Sequence, residues 1–199
     1  MGKPNLLFIY TDQQRADTLA AYGNELIQMP NLNRLAAESV VFDQAYCAQP
    51  VCQPSRSTLL TGLYPHTTGC FTTDDFNLHP LKSETRCLPE LMEEDDYFCG
   101  HHGKWHLGDD VFIQHGFHDW ISTLDHEHRP YYTEGRDTFK HCDYYHFLAG
   151  KGFEPDLTEE DGFQAFTSRY CARLPEEYGP PAYLADSASR FIRENKDRP

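Results

Sequence analysis

Apolar positions in this chain fall into a few short runs separated by long polar stretches, and the runs have two different periods. Residues 6–10, Leu-Leu-Phe-Ile-Tyr, are apolar without a break. A continuous run of that length predicts a parallel strand covered on both faces. Asp12 and Gln13 follow at once, so Asp12 is expected at the carboxyl end of the strand, where open α/β sheets bind ligands. A plain helix cap for residues 15–21 is the alternative role for Asp12. From Pro30 the period becomes helical, with Leu32, Leu35 and Ala36 on one face. Residues 40–42 are a short β-prone run. Between Pro54, suited to a first helical turn, and Gly62, a natural stop, the pattern predicts a helix that buries Leu59 and Leu60. Residues 71–86 read as loop, 88–93 as a helix entered at Pro89, and 97–100 as a second short strand. Residues 131–153 carry many aromatics and read as a loop packed on the sheet, with stacking on a sugar or aryl group as the alternative. After Gly179, Pro180 and Pro181, residues 183–195 predict a helix whose inner face is Ala185, Ala188, Ser189 and Ile192. Short strands alternating with helices make this an α/β chain.

Cys52 lies at the start of the predicted 54–62 helix, where unpaired N–H groups and the helix dipole favour anions and acidify a thiol. Arg56 follows one turn later, within reach of a negative group at Cys52. A buried structural thiol is the plain alternative for an isolated cysteine. Further on, Lys104 and His106 are separated by one residue, and in extended backbone they would point to the same side and converge on one anion. His115, His126 and His128 have no ligand-like spacing. The acidic run at residues 93–96 reads as a solvated end.

Composition narrows the partners. Among 199 residues, 31 acidic side chains oppose 17 basic ones, for a formal net charge of −14. That excludes nucleic acid, which needs a basic face. An anionic substrate would be repelled at long range and must be held by local cations, a metal, or both. The apolar run at 6–10 is too short for a signal core or a membrane span, so the expectation is a cytoplasmic protein without membrane attachment. Seven cysteines with no Cys-x-x-Cys pair do not read as a disulfide framework or a zinc site, and most should be buried, reduced thiols.

Cys52-Gln53-Pro54-Ser55-Arg56, followed by Leu59-Leu60-Thr61-Gly62, resembles the signature of the type I sulfatases. Gly103-Lys104-Trp105-His106-Leu107-Gly108 resembles their second motif, and Pro30-Asn31-Leu32, Tyr64-Pro65-His66 and Gly116-Phe117 fit the same family. The resemblance implies an alkaline-phosphatase-like α/β fold, a mostly parallel sheet flanked by helices. Within it the chain would be the N-terminal part of a longer catalytic domain. Residues 1–120 would carry the motifs, 121–182 a variable insert, and 183–199 a helix leading to a strand beyond Pro199.

In that family the cysteine is oxidised to formylglycine by a maturation enzyme, and its hydrated aldehyde attacks a sulfate ester of a small molecule or carbohydrate. Carried onto this chain, the resemblance makes Cys52 the nucleophile precursor. It gives Arg56 and Lys104 the holding of nucleophile and sulfate, and His106 a hydrogen bond to the diol. Asp12, Gln13 and the modified Cys52 would hold a divalent metal, Ca²⁺ by expectation, with Mg²⁺ or Mn²⁺ as alternatives. The acid for the leaving alcohol would lie beyond Pro199. Gln13 departs from the commoner aspartate, and the Asp-Gln form resembles a branch that includes phosphonate and phosphodiester hydrolases. Hydrolysis of those esters, or a catalytically silent fragment, are the other readings.

Overall fold

The computed structural model describes residues 3–72, 80–92, 97–123, 141–153 and 174–198. They divide into two compact units, one of Leu6–Ala48 and one of Met1–Asn5 with Gln49–Pro199. Among the described residues no helix is long and apolar enough to cross a membrane.

The unit Leu6–Ala48 is built from turns and one helix. Two 3₁₀ turns, Ala16–Thr18 and Ala20–Tyr22, lead to α1, Pro30–Ala37, entered through its proline as the sequence predicts. Gly23, at φ 90°, ends the second turn in a conformation that a side chain resists. Asn33 Oδ1 accepts from the Ala20 amide at 3.3 Å, and the Tyr22 hydroxyl donates to the Phe42 carbonyl at 2.8 Å. These bonds tie the turns to α1 and to the chain after it. Two expectations fail here. Residues 6–10 form no strand, and Leu6 to Ile9 are each about two-thirds exposed; residues 40–42 form none either. A strand exists only where a neighbour takes its N–H and C=O groups, and among the described residues only one pair of strands occurs, elsewhere in the chain. Nor does Asp12 cap the first turn: Arg15 occupies the N-cap position, without a side-chain capping bond.

In the other unit, β1 (Gly100–Gly103) pairs in parallel with β2 (Asp119–Ser122), His101 opposite Trp120. The second strand thus forms three residues later than the apolar pattern suggested. Parallel strands need a long crossover, and residues 104–118 supply it. α6, Pro180–Asn195, packs on β1. It does so through a face other than the expected one. Ser187 is buried and Tyr183, Leu184 and Phe191 are partly buried, whereas Ala185, Ser189 and Ile192 are exposed. Small residues mark a helix face only weakly, and here the aromatic rings set the contact. The loop expected at 131–153 contains α5, Asp143–Gly150, with Tyr144 and Leu148 buried one turn apart. Its Asp143 Oδ2 accepts from the Ser122 amide and hydroxyl, both at 2.8 Å, and so clamps the helix start to the end of β2. Residues 131–140 lie outside the described residues, as do 73–79, 93–96, His126, His128 and most of the 121–182 region.

α2, Cys52–Thr61, begins at Cys52 and ends at Gly62 in the left-handed region, φ 70°. It is followed by α3 (Pro65–Thr68) and, after the loop, by α4 (Leu88–Leu91). The core beneath them joins Cys70, Leu81, Cys87, Trp105 and Leu107, with Leu60, Phe117 and Trp120 against it. Leu60 therefore faces inward as predicted, but Leu59 is 41% exposed. The deeply buried side of α2 is its polar one, Gln53, Arg56, Ser57 and Thr61. Local bonds make that burial tolerable: Ser57 Oγ donates to the Pro54 carbonyl at 3.0 Å and Thr61 Oγ1 to the Ser57 carbonyl at 2.6 Å.

Candidate active site

The polar side of α2 meets two neighbours: Arg56 reaches the crossover from β1, and Ser57 Oγ lies 3.4 Å from Thr68 Oγ1 of α3. Cys52 is the first residue of the helix, with Val51 extended before it, and its side chain is half-buried. Lys104 leaves β1 one residue past Gly103 and brings its Nζ to 3.8 Å from Cys52 Sγ. Arg56, 8% exposed, donates through one terminal guanidinium nitrogen to the Lys104 carbonyl at 2.6 Å. Helix and crossover are thereby held together by one charge-assisted bond. Cys52 and Arg56, one helical turn apart, form one cluster with Lys104, 48 residues beyond Arg56.

Trp105, between the two polar motif residues, turns into the core. Its ring lies edge-on to Trp120 at 5.1 Å and His101 at 5.4 Å, with Phe117 at 6.1 Å. This anchor sets where Lys104 starts. His106 is buried and has φ 60°. The extended backbone assumed for residues 104–106 is therefore broken at His106 by a left-handed turn, and the simple alternation of sides does not apply. Asp110 Oδ1 accepts from the His106 amide at 2.8 Å, while its carbonyl accepts from Trp120 Nε1 at 3.1 Å. Asp110 was not singled out from sequence; an acidic pair directly behind a Trp-containing motif was the available signal.

Two histidines of β1 sit nearby. Burial against the aromatic cluster pulls the His101 pKa down to about 4. His102 is also lowered, because burial outweighs Asp119, whose Oδ2 is 3.0 Å from its Nε2. Both imidazoles are kept toward the neutral form.

Asp12 and Gln13 belong to the unit Leu6–Ala48, where both are exposed and Gln13 has φ 56°. Carboxylate and amide oxygens on adjacent, solvated residues suit a hard, partly hydrated cation. His66, exposed, stacks on Tyr64 at 5.6 Å.

A protein-family profile described as Sulfatase matches residues 4–199. The chain is 32% identical over 196 residues to an ulvan-active sulfatase of Formosa agariphila, an alignment covering 91% of this chain and 38% of that protein. It is 34% identical over 148 residues to the human N-acetylgalactosamine-6-sulfatase, covering 67% and 28%. The chain thus spans well under half the length of these relatives. In fold it is similar to the phosphonate monoester hydrolase of Agrobacterium radiobacter, with a TM-score of 0.67 at 20% identity, over 99% of this chain and 39% of that one.

Proposed function

The chain belongs to the sulfatase family, and from that premise we propose that its site hydrolyses sulfate esters with a nucleophile made from Cys52. The observation that supports this reading most is the cluster itself: the Lys104 ammonium 3.8 Å from Cys52 Sγ, with Arg56 joined to the Lys104 carbonyl.

In the proposed cycle a maturation enzyme, drawing on an external oxidant such as dioxygen, converts the Cys52 side chain to an aldehyde with loss of its sulfur, and water adds to give two hydroxyls on one carbon. One hydroxyl, losing its proton, attacks sulfur opposite the ester oxygen; the bond from sulfur to that oxygen breaks and the alcohol leaves with a proton. The second hydroxyl then loses its proton, the carbon–oxygen bond to sulfate breaks, and the aldehyde reforms. Lys104 holds the reacting oxygens and the sulfate, and His106 takes the second proton. Arg56, through its bond to the Lys104 carbonyl, fixes the backbone from which the ammonium extends. Asp12 and Gln13 would offer oxygen donors to the divalent cation, and hard oxygen donors favour Ca²⁺ or Mg²⁺. When bound, it supplies Lewis-acid stabilisation of charge on sulfate.

The relatives' names point to sulfated carbohydrates, and we propose that class as substrate. Residues 1–120 would carry the chemistry, and 121–182 would be a family-variable insert. Gln13 in place of a second carboxylate supports a second reading, hydrolysis of phosphonate or phosphate diesters at the same nucleophile. The test is coexpression with a formylglycine-generating enzyme, mass spectrometry of the Cys52 peptide, and turnover of an aryl sulfate against an aryl phosphonate. Conversion with preference for the sulfate is expected. An unmodified Cys52 removes the nucleophile, and preference for the phosphonate selects the second reading.

A further inference from the structure

Outside this site, three metal-ligating side chains of different chemistry meet behind the crossover. Cys87 is the N-cap of α4 and Glu90 lies in its single turn, while His115 comes from the end of the 104–118 crossover; one ligand atom of each lies within 4.8 Å of the others. Glu90 Oε2 is 3.3 Å from His115 Nδ1 and accepts from the Cys87 amide at 2.8 Å. Cys87 is fully buried and the His115 side chain nearly so, while Glu90 keeps about a third of its side chain open and offers a way in. The approach is enforced by the backbone. His115 has φ 50° and Gly116 φ 76°, and a Cβ on Gly116 would stand 2.7 Å from Glu90 Cγ. A non-glycine residue in the left-handed region carries strain that the surroundings must hold.

We propose that Cys87, Glu90 and His115 bind one thiophilic divalent cation, Zn²⁺ by donor type, with water completing the tetrahedron. One sulfur, one imidazole nitrogen and one carboxylate oxygen suit zinc and are unsuited to Ca²⁺, so this site is chemically distinct from the oxygen donors Asp12 and Gln13. Binding replaces the thiol proton of Cys87. Burial first, then the negative charge of Glu90, pushes that thiol up to about 12. A thiolate is costly there without a cation and compensated with one. The ion would join α4 to the crossover that carries Lys104 and His106. Its role is to stiffen that segment, not to react. The sequence hides it because Cys-x-x-Glu reads as a helix start and the third ligand is 25 residues away.

The experiment is a Co²⁺ titration of the reduced 199-residue protein carrying Cys52→Ser, followed by sulfur-to-cobalt charge-transfer absorption and by Zn²⁺ competition. One equivalent with a thiolate band and tetrahedral d–d bands, displaced by Zn²⁺, is expected. Cys87→Ser should abolish the band without unfolding α4, since serine is a favoured N-cap. His115→Gln should weaken binding by more than the roughly 10–100-fold that loss of an outer partner costs. Cys47→Ser, at an exposed thiol, should change nothing. Absence of the band, or its survival in a folded Cys87→Ser protein, overturns the proposal.

Discussion

Arg56 and Lys104 divide the work of two cations in a chain of net charge −14. Arg56 is buried and spends a guanidinium hydrogen bond on the Lys104 carbonyl, so part of its role is architectural. Lys104, only partly buried, keeps its ammonium beside Cys52. If that ammonium holds sulfate through one charge-assisted bond, its loss should cost ~1.5–3 kcal/mol. Lys104→Ala in the formylglycine-bearing protein should then lower kcat/KM on an aryl sulfate by on the order of ten- to a hundredfold. Lys82→Ala, at an exposed position, should stay within about twofold. Equal rates in the two variants would take Lys104 out of the site.

At the level of elements, the position of β1 depends on how closely α6 can approach it. Gly100 has no side chain, and a Cβ there would lie 2.8 Å from Phe191 Cζ and 2.9 Å from Cε2. The ring of Phe191 also stacks on Phe98 at 5.9 Å and lies 5.4 Å from His102, so moving it disturbs both contacts. Gly100→Ala should therefore destabilise by roughly 1–3 kcal/mol through overpacking. Phe191→Leu in the same chain should recover part of that, making the double variant less costly than the sum of the singles. Urea midpoints of the four proteins decide it; strictly additive costs would mean that the ring is not what the new methyl meets.

For the whole molecule, the buried imidazoles link folding to pH. His101 lies 4.4 Å from the Trp120 ring and 5.5 Å from Phe117, and burial in that cluster lowers its pKa to about 4. An unfolded histidine takes its proton near ~6.5. Between those values the unfolded chain binds more protons than the native one, so stability falls as pH falls through that window and is fully present above it. The contribution is up to about 3 kcal/mol for His101, and His102, lowered by the same cause, adds in the same direction. His101→Phe keeps a ring in the cluster without the titration. Comparing urea unfolding at about pH 7 and about pH 4.5, the variant should lose less stability on acidification than the parent; an equal loss would show that His101 does not carry the linkage.

The residue content of the cluster was legible from the chain alone because Cys52, Arg56 and Lys104 sit in short motifs whose spacing is local. α1, α2 and α4 were legible for a similar reason: proline entries and a glycine exit act through neighbouring backbone. Helix faces were not. On α2 the polar side is buried because α3 and the Lys104 segment, both outside the helix, pack on it, and on α6 aromatic rings override the alanine stripe. The strands shifted or failed because pairing needs a partner that the run itself cannot specify; residues 6–10 have the composition of a strand, yet they form none. The left-handed turn at His106, Asp110 beneath it, and the meeting of Cys87 with His115 are all long-range outcomes. They depend on where Trp105 and Gly116 let two segments touch, and only the folded chain decides that.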